Sequence, residues 1–593
     1  MSKSNTLADS IVTALAGHGV QRMFGIPGGG SSLDLIDAAR DHGIDFFLAR
    51  TEVAAALMAA VTGELTGAPG VVLAGVGPGA ASIVNGIAYA HLERAPLLLF
   101  TDGPAASLHQ SFDQNALFVP ISKYQGRLRP DDGCAAIEAA IEVALAPPWG
   151  PVHLDLTAAD AATQVAAFDR SSSDRAAANN VEAGDVELAR ELLDDCSRPV
   201  IIAGLESRYG DAPAALRKLA DALACPVLPT YKAKGVLPDS HPGTVGTFTG
   251  AVGESEPVES ADLIVLYGLD PVELIPQPWH YDAPILDIFP HSCSEPPAPP
   301  AARIIGPLAA AVHGILPTAT RSTWTQDEIA KLRERARERL RCSGDGHTTQ
   351  SVVELASHVA PRFCRATVDA GAHMFSVLSS WPAETAFGVL KSNGLSTMGY
   401  ALPAAIASCL EEPDRTVVAF TGDGGLMMCL GELKTAVEHH CRIVVVVLND
   451  SALSLIDIKQ QRQQRASVGV RYPATDFAGI AKALGYQSWH VDSHDDLTPA
   501  MTAAFAHASP TIQSKFGTPE VFGRAVETGY PVIWRPAHHE MLALIETATG
   551  WIQIVLFENR EGRFFEAVYD MRQIDGVWRI NGVYLRALLA AGI

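Results

Sequence analysis

The chain has 593 residues, 48% hydrophobic and 19% charged, the balance of a globular protein, which excludes a disordered, collagenous or low-complexity polymer. That length predicts about four domains. Lys plus Arg is 44 against 66 for Asp plus Glu, a net charge of −22, so phosphate counterion release would gain this chain nothing and nucleic acid is not an expected partner.

The first residues, MSKSNTLADS, are polar and lack the basic start and apolar core of a secretory leader. Apolar runs such as VVVV at 444–447 are too short to span a bilayer. The nine cysteines are dispersed, with no CxxC pair, which predicts reduced thiols and, with the absence of a leader, a cytoplasmic protein without a membrane partner. Over residues 7–165 the segments IVTALAGHGV and EVAAALMAAVTGELTG read as helices, and DFFLAR, VVLAG, PLLLFTD and VHLDL as strands. Such alternation predicts a parallel sheet covered by helices and a first domain over 1–167. A polar linker follows at 168–185.

Residues 186–318 predict a second α/β unit with strands PVIIAG, PVLPT, LIVLYG and PILDIF, and a proline-rich loop, PHSCSEPPAPPAA, near its end. Residues 324–341, TWTQDEIAKLRERARERL, read as a solvated connecting helix. A third α/β unit, 350–510, alternates ATVDAG, a helix at 398–411, TVVAFTGDGG, a helix at 431–440 and RIVVVVLND. The last stretch, 511–593, differs. A helix, VFGRAVETGY, precedes three strand-like runs, WIQIVLFEN, RFFEAVYDMRQI and GVWRINGVYLRAL, separated by turn residues Asn559, Gly562, Asp575 and Gly576. That predicts an antiparallel meander. The fold class is therefore α/β: three doubly wound parallel-sheet domains plus a small α+β domain.

The strongest chemical signal is Thr421-Gly422-Asp423-Gly424-Gly425 behind the strand TVVAF, with Asn449-Asp450 ending the next strand. A strand end, a glycine turn and a helix start form a natural diphosphate site, since backbone donors and the helix dipole face the anion. Two strand ends can supply oxygen ligands to one Mg²⁺, which prefers one or two carboxylates completed by phosphate and water.

This pattern resembles the metal–diphosphate motif of the thiamine diphosphate (ThDP) enzymes of the acetolactate synthase, pyruvate oxidase and benzaldehyde lyase type. Other motifs agree in the family order over about residues 5–505: Phe24-Gly25-Ile26-Pro27-Gly28-Gly29, Glu52 after DFFLAR, Gly77-Pro78-Gly79 with Asn85-Gly86, and Gly394-Leu395-Ser396-Thr397-Met398-Gly399-Tyr400. The resemblance implies a pyrimidine-binding first domain, a central domain and a diphosphate-binding third domain. It implies Pro27, Gly28, Glu52, Gly79, Asn85, Leu395, Met398, Gly422, Asp423, Gly424, Gly425, Asp450, Ala452, Leu453 and Ser454 as cofactor contacts. Asp423, Asp450 and the Ala452 carbonyl would be the Mg²⁺ ligands. Asp450 departs from the family, which commonly has Asn there, and a second carboxylate should tighten Mg²⁺ binding. The cofactor reacts through a carbanion of its thiazolium ring, and Glu52, as a buried carboxyl of raised pKa, would share a proton with the pyrimidine. Met398 would enforce the bent cofactor shape. The residue before Glu52 is Thr51, where many relatives have His. The resemblance also implies a homodimer or homotetramer, with Glu52 of one chain facing Asp423 of the other.

Gln110 matches the family's pocket glutamine and His109 sits beside it; with Glu52 these are the catalytic candidates. The pairs His439-His440 and His538-His539 read as surface residues. A pocket so poor in acid–base groups favours carboligation or acyloin cleavage of a small molecule over decarboxylation of a 2-oxo acid. Ser451, Leu453, Leu455 and Ile456 would wall it. The first turn of the central unit, Ile202-Ala203-Gly204-Leu205-Glu206, lacks a multi-glycine phosphate turn, so FAD is not expected. The closing strand of the third domain begins at Pro510-Thr511-Ile512 and is broken by Gln513 to Gly517, and AFAHASPTI could belong to either parent domain. Two rivals stand beside this reading. One is an NAD-dependent oxidoreductase built on Gly75-Val76-Gly77-Pro78-Gly79-Ala80 and Asp102. The other is a catalytically silent subunit of the ThDP fold.

Overall fold

A computed structural model describes residues 5–103, 109–166, 181–250, 255–319, 321–341 and 348–508, and four strands of the C-terminal part. The chain divides into two compact units, Met1–Ala506 and His507–Ile593. In the first unit, β1 (Arg22–Ile26), β2 (Asp45–Leu48), β3 (Gly70–Ala74), β4 (Leu97–Asp102), β5 (Tyr124–Arg127) and β6 (Pro151–Leu156) form a parallel sheet in the order β2-β1-β3-β4-β6-β5. Every residue of β3, β4 and β6 is buried, the pattern of strands covered on both faces. Strand order reverses between β1 and β3, so a crevice opens at their carboxyl ends. There the chain continues into Pro27-Gly28 and Gly75 to Gly79.

The central sheet holds β7 (Pro199–Ala203), β8 (Val227–Pro229), β9 (Leu263–Tyr267), β10 (Ile285–Phe289) and β11 (Ala302–Ile305), in the order β11-β10-β9-β7-β8. The helix Gln326–Arg339 starts at a capping box of Thr325 and Glu328. It is not the solvated connector that its charge predicts. Ile329 and Leu332 are buried, Trp324 donates from Nε1 to the Pro199 carbonyl at 3.0 Å, and Arg333 donates to the carbonyls of Thr244, His241 and Pro242. The apolar stripe is two residues wide, and a planar arginine fork completes the attachment.

The third sheet holds β12 (Arg365–Val368), β13 (Val389–Lys391), β14 (Val417–Gly422) and β15 (Ile443–Leu448), in the order β13-β12-β14-β15, again parallel. Its order reverses between β12 and β14, whose carboxyl ends lead into Asp369 and Asp423.

The first and third sheets share one hydrophobic core. Helix Glu52–Thr66 is buried from Ala54 to Glu64, and helix Ala401–Glu411 from Ala401 to Cys409; the two pack on each other. Small side chains let their backbones approach. At Gly86 an added Cβ would lie 2.4 Å from that of Ala56, so this glycine is a packing requirement.

A charged hub is sealed between the three sheets. Glu64 accepts from Lys232 Nζ at 2.8 Å, Arg208 Nη1 at 2.9 Å and Tyr89 OH at 2.6 Å. Glu93 pairs with Lys232 at 3.1 Å and accepts the Asn393 and Gly394 amides at 2.6 and 2.8 Å. Glu64, Glu93 and Lys232 are all buried. Burial acts to raise the Glu64 carboxyl, but Lys232 and then Arg208 outweigh it and hold the group below its ordinary range.

The C-terminal unit contains β16 (His538–Thr547), β17 (Gly550–Glu558), β18 (Phe564–Ile574) and β19 (Val577–Ala587), an antiparallel meander in sequence order. Three of these strands were predicted. The first, HHEMLALIET, escapes a sequence reading because two histidines and an acid open it. The predicted helix VFGRAVETGY, the interrupted strand after Pro510, and the turns at Asn559, Gly562, Asp575 and Gly576 lie outside the described residues, as does most of the 168–185 linker. Among the described residues the cysteines are free, and no helix is long and apolar enough to cross a membrane.

Candidate active site

Strand β14 ends at Gly422, which caps the short helix Asp423–Met428. The Asp423 side chain is 2% exposed. Its Oδ1 accepts the Gly424 amide at 2.7 Å, and among the described residues its buried Oδ2 has no partner. A Cβ on Gly424 would lie 2.9 Å from Leu453 Cδ2, 3.1 Å from the Tyr472 hydroxyl and 3.3 Å from Met398 Cε. Three separate sequence motifs therefore converge on one glycine. The loop after β15 is held in place by Leu453 donating to Val470 O at 2.8 Å and Tyr472 donating to Ser451 O at 3.1 Å. These bonds flank Ala452, which forms an isolated bridge with Arg471. Asp450 is exposed and accepts a hydrogen bond from Ser454 Oγ. Ile456, expected in the pocket wall, is exposed as well.

Two residues here were not singled out in sequence. Asp369, at the end of β12, accepts the Ala370, Gly399 and Tyr400 amides at 3.0, 3.1 and 3.1 Å and the Thr421 hydroxyl at 2.9 Å. It ties the segment behind Met398 to the glycine turn. Burial pushes its carboxyl up to about 6 against the pull of these donors. Gly425 exists for the same contact, since a Cβ would fall 2.1 Å from Asp369 Oδ2. Replacing Asp369 with Ala would strand these donors at about 1–3 kcal/mol each. We expect Asp369→Ala to lower the unfolding free energy by about 2 kcal/mol or more, read by urea denaturation. The signal was present in ATVDAG, an acid ending an apolar strand. The second residue, His373, opens helix His373–Ser380. Its ring faces the Gly422 turn, 3.4 Å from where a Cβ would stand. Burial lowers its pKa to about 4, against the opposing Asp450 charge, and its buried Nε2 has no partner among the described residues.

On the first domain, Thr51 caps the helix that Glu52 opens, accepting the Ala54 amide at 3.2 Å. Glu52 is half-buried, where a buried carboxyl was expected. Its Oε2 accepts from Ser82 Oγ at 2.9 Å, and Oε1 lies 3.7 Å from a Cβ built on Gly79. Gly77 has φ +66, and a Cβ there would collide with Gln110 O at 2.1 Å. Gln110 itself is exposed at φ +58, beside exposed His109. A non-glycine residue in that region costs of order 1 kcal/mol or more and marks a constrained loop. The buried amide supporting the Gly77 turn is Gln114, which accepts the Gly77 N–H at 2.8 Å and donates to Asp155 at 2.9 Å. Asn85 Oδ1 accepts from Thr397 Oγ1 at 3.0 Å, so the first domain touches the Met398 segment directly. Leu395 is half-buried against the shared core.

Asp102, the acid of the dinucleotide rival, is spent inside the fold. It accepts from Gly30 N, Ser31 Oγ and Ser32 N at 3.2, 3.0 and 2.8 Å and so fastens the start of helix Ser31–Asp41. A Cβ on Gly28 would lie 2.0 Å from its Oδ2. In the central domain, the Gly204 turn is filled by the chain itself: a Cβ would lie 2.3 Å from Leu269 Cα, and Leu205 N donates to Glu273 at 2.6 Å. His439 is not a simple surface residue, since its ring packs edge-on against Phe47 at 4.7 Å. His440 is exposed, as expected. Among the described residues no cluster of three His, Cys, Asp or Glu side chains could hold a metal; the site around Gly424 offers two carboxylates and a backbone carbonyl.

Comparison with known proteins places this architecture. Family models match the chain at residues 5–120 (thiamine pyrophosphate enzyme, N-terminal TPP binding domain), 186–291 (central domain) and 369–512 (C-terminal TPP binding domain). A domain of unknown function (DUF4864) matches 497–591. The last two matches overlap over residues 497–512, a stretch that includes AFAHASPTI. An acetolactate synthase of Bacillus subtilis (strain 168) is 29% identical over 537 residues, 86% of this chain and 92% of that protein. A catabolic acetolactate synthase of Raoultella terrigena is 28% identical over 532 residues, 85% and 94% of the two chains. An acetolactate synthase large subunit of Lactococcus lactis subsp. lactis (strain IL1403) is 28% identical over 520 residues, 83% and 89%.

Proposed function

Because the chain belongs to the thiamine diphosphate-dependent enzymes, with N-terminal, central and C-terminal domains all matched, we propose that it is a Mg²⁺-dependent carbon–carbon lyase or carboligase of acetolactate synthase-like action, taking 2-oxo acids or acyloins. The observation that carries this reading is the convergence of Met398, Leu453 and the Asp423 turn on Gly424. The buried Oδ2 of Asp423, without a hydrogen-bond partner among the described residues, suits a cation, and the hard oxygen donors suit Mg²⁺. Asp423, Asp450 and the Ala452 carbonyl would hold that ion, and the turn Gly422 to Gly425 would face the diphosphate, with the neutral His373 ring beside Gly422. Pro27, Gly28, Gly79, Asn85 and Leu395 line the cofactor cleft with Ser454. Bound ThDP supplies an electron sink for making or breaking the bond beside a carbonyl carbon.

Within this frame Glu52 holds and releases a proton at its carboxyl, oriented by Ser82. Met398 supplies an apolar wedge over the glycine turn. Gln110 and His109, on the constrained loop behind Gly77, orient the substrate. No FAD is needed, and the closed Gly204 turn supports that. A second copy of the chain covers the site, making a homodimer or homotetramer. Exposed apolar groups beside the glycine turn, Met427, Met428 and Phe375, support such a covering surface.

The test is incubation with Mg²⁺, ThDP and a panel of 2-oxo acids and acyloins, with products identified by mass spectrometry. Pyruvate giving acetolactate supports carboligation; acetaldehyde alone refutes it; no turnover of any member refutes the enzyme reading. A separate expectation concerns Asp450. With only one carboxylate left on the ion, Asp450→Asn should raise the half-saturating Mg²⁺ about tenfold. An unchanged Mg²⁺ titration would remove Asp450 from the ligand set.

A further inference from the structure

After the helix Ser454–Arg462 the chain doubles back over the loop that begins at Asp450. The Ala452–Arg471 bridge and its two main-chain bonds zip this strap, residues 467–475, onto the loop. Side chains add further ties. Ser467 Oγ and Arg471 Nη2 both donate to the buried Asp457. Gln460 Nε2 donates to Val468 O at 3.1 Å, and Asn449 Nδ2 donates to Thr475 O at 3.3 Å. Tyr472 stands within the strap, and Pro473 behind it favours extended backbone at Tyr472. The protein alone therefore sets where this ring lies.

The Tyr472 hydroxyl reaches the glycine turn, 3.1 Å from where a Cβ on Gly424 would stand. Its oxygen is buried and has no hydrogen-bond partner among the described residues. A buried tyrosine hydroxyl ordinarily finds one, because an unpaired polar group keeps its full desolvation penalty. The other side chains at this corner do not supply it. Leu453 and Met398 bring Cδ2 and Cε, and the Gly424 amide is already given to Asp423 Oδ1. Phenylalanine would fill the same apolar space, so packing does not call for the hydroxyl. Asp423 Oδ2 is the second orphan here. A cation on Asp423 would occupy the lone pairs of that oxygen, and the Tyr472 proton would then be left for the anion that the cation carries.

We propose that Tyr472 is a further cofactor-binding residue, whose hydroxyl donates a hydrogen bond to a diphosphate oxygen of Mg²⁺-bound ThDP. The inference rests on the thiamine diphosphate reading and adds to it a donor from outside the glycine turn. Mg²⁺ binds only some of the oxygens of a diphosphate. The others need donors, and a hydroxyl donating to an ionised oxygen makes a stronger bond than one between neutral groups. The glycine turn and the strap would then grip the same diphosphate.

Tyr472→Phe removes one oxygen and keeps the ring. Full-length apoprotein, parent and variant, is titrated by calorimetry at saturating Mg²⁺ with ThDP and, separately, with inorganic pyrophosphate, and the thermal midpoint of each apoprotein is recorded. In the variant the Kd for both ligands should rise about tenfold, the scale of one hydrogen bond to a charged group. The apoprotein midpoint should stay at or slightly above that of the parent, since the oxygen removed had no partner. Parental affinity of the variant for both ligands would overturn the role of Tyr472 and leave the thiamine diphosphate reading standing. A loss confined to ThDP would overturn it too, because the hydroxyl would then serve the organic part of the cofactor. So would a lower apoprotein midpoint, which would show the hydroxyl already in use inside the protein. Failure of the parent to bind ThDP would overturn both readings.

Discussion

Glu52→Gln is expected to lower turnover at least about 10²-fold, the scale of a lost acid–base group, while the thermal midpoint stays near that of the parent. The substitution conserves shape. A glutamine oxygen can still accept from Ser82, which now holds Oε2 at 2.9 Å, and the helix start remains capped by Thr51. The titrating proton is what is lost, so the deficit should fall on kcat at saturating Mg²⁺ and ThDP, with cofactor affinity little changed. Exchange of the cofactor's ring proton, followed by NMR on the bound enzyme, should slow in parallel. A variant that turns over at nearly the parental rate would show that Glu52 is only a helix-end charge.

The second large effect is on stability. Lys232→Met should cost about 3–5 kcal/mol, because it leaves buried carboxylates short of a cation. Lys232 reaches Glu64 at 2.8 Å and Glu93 at 3.1 Å, and all three side chains are nearly inaccessible. Glu64 keeps Arg208 at 2.9 Å, whereas Glu93 is left with backbone donors, the more distant Ser392 hydroxyl and the neighbouring charge of Lys391. Adding Glu64→Gln to Lys232→Met removes the matching charge, so the double variant should be less damaged than the two single losses added together. Urea unfolding followed by circular dichroism reads both comparisons. The pH dependence has a definite sign. Glu64 is held below its unfolded value, so its contribution is complete above the ordinary carboxylate range, near 4.3, and is lost as pH falls through the lower, folded-state value.

The glycine-turn motifs were legible because a turn needs particular residue types at particular places. Gly422 to Gly425, Gly77 to Gly79 and Pro27-Gly28 all fall at strand ends, and alternating apolar runs located the three parallel sheets. What stayed hidden depended on tertiary neighbours. Asp369 looks like any acid after a strand, and only the folded chain brings the Gly399 and Tyr400 amides to it. Gln114 reads as one more polar residue four positions beyond Gln110, yet it is the buried one and Gln110 is exposed. Asp102 fitted a ribose-binding pattern by position, but its oxygens are consumed by the helix beside it. The hub around Glu64 had no local signature, since its members come from three sheets.

The packing of helix Glu52–Thr66 on helix Ala401–Glu411 also sets where this catalyst can be re-engineered. Alanines 54–56, 59 and 60 of one helix and alanines 401, 404, 405 and 407 of the other are all at or near zero exposure. Even one added methylene there must be absorbed by neighbours already in contact, and the cost would reach Glu52 and Met398, which adjoin the two helices in sequence. Diversity introduced at exposed positions such as His109, Phe112 and Val119, or Ile456, Ile458 and Val468, would leave that joint untouched. A library for new substrates belongs on those rims.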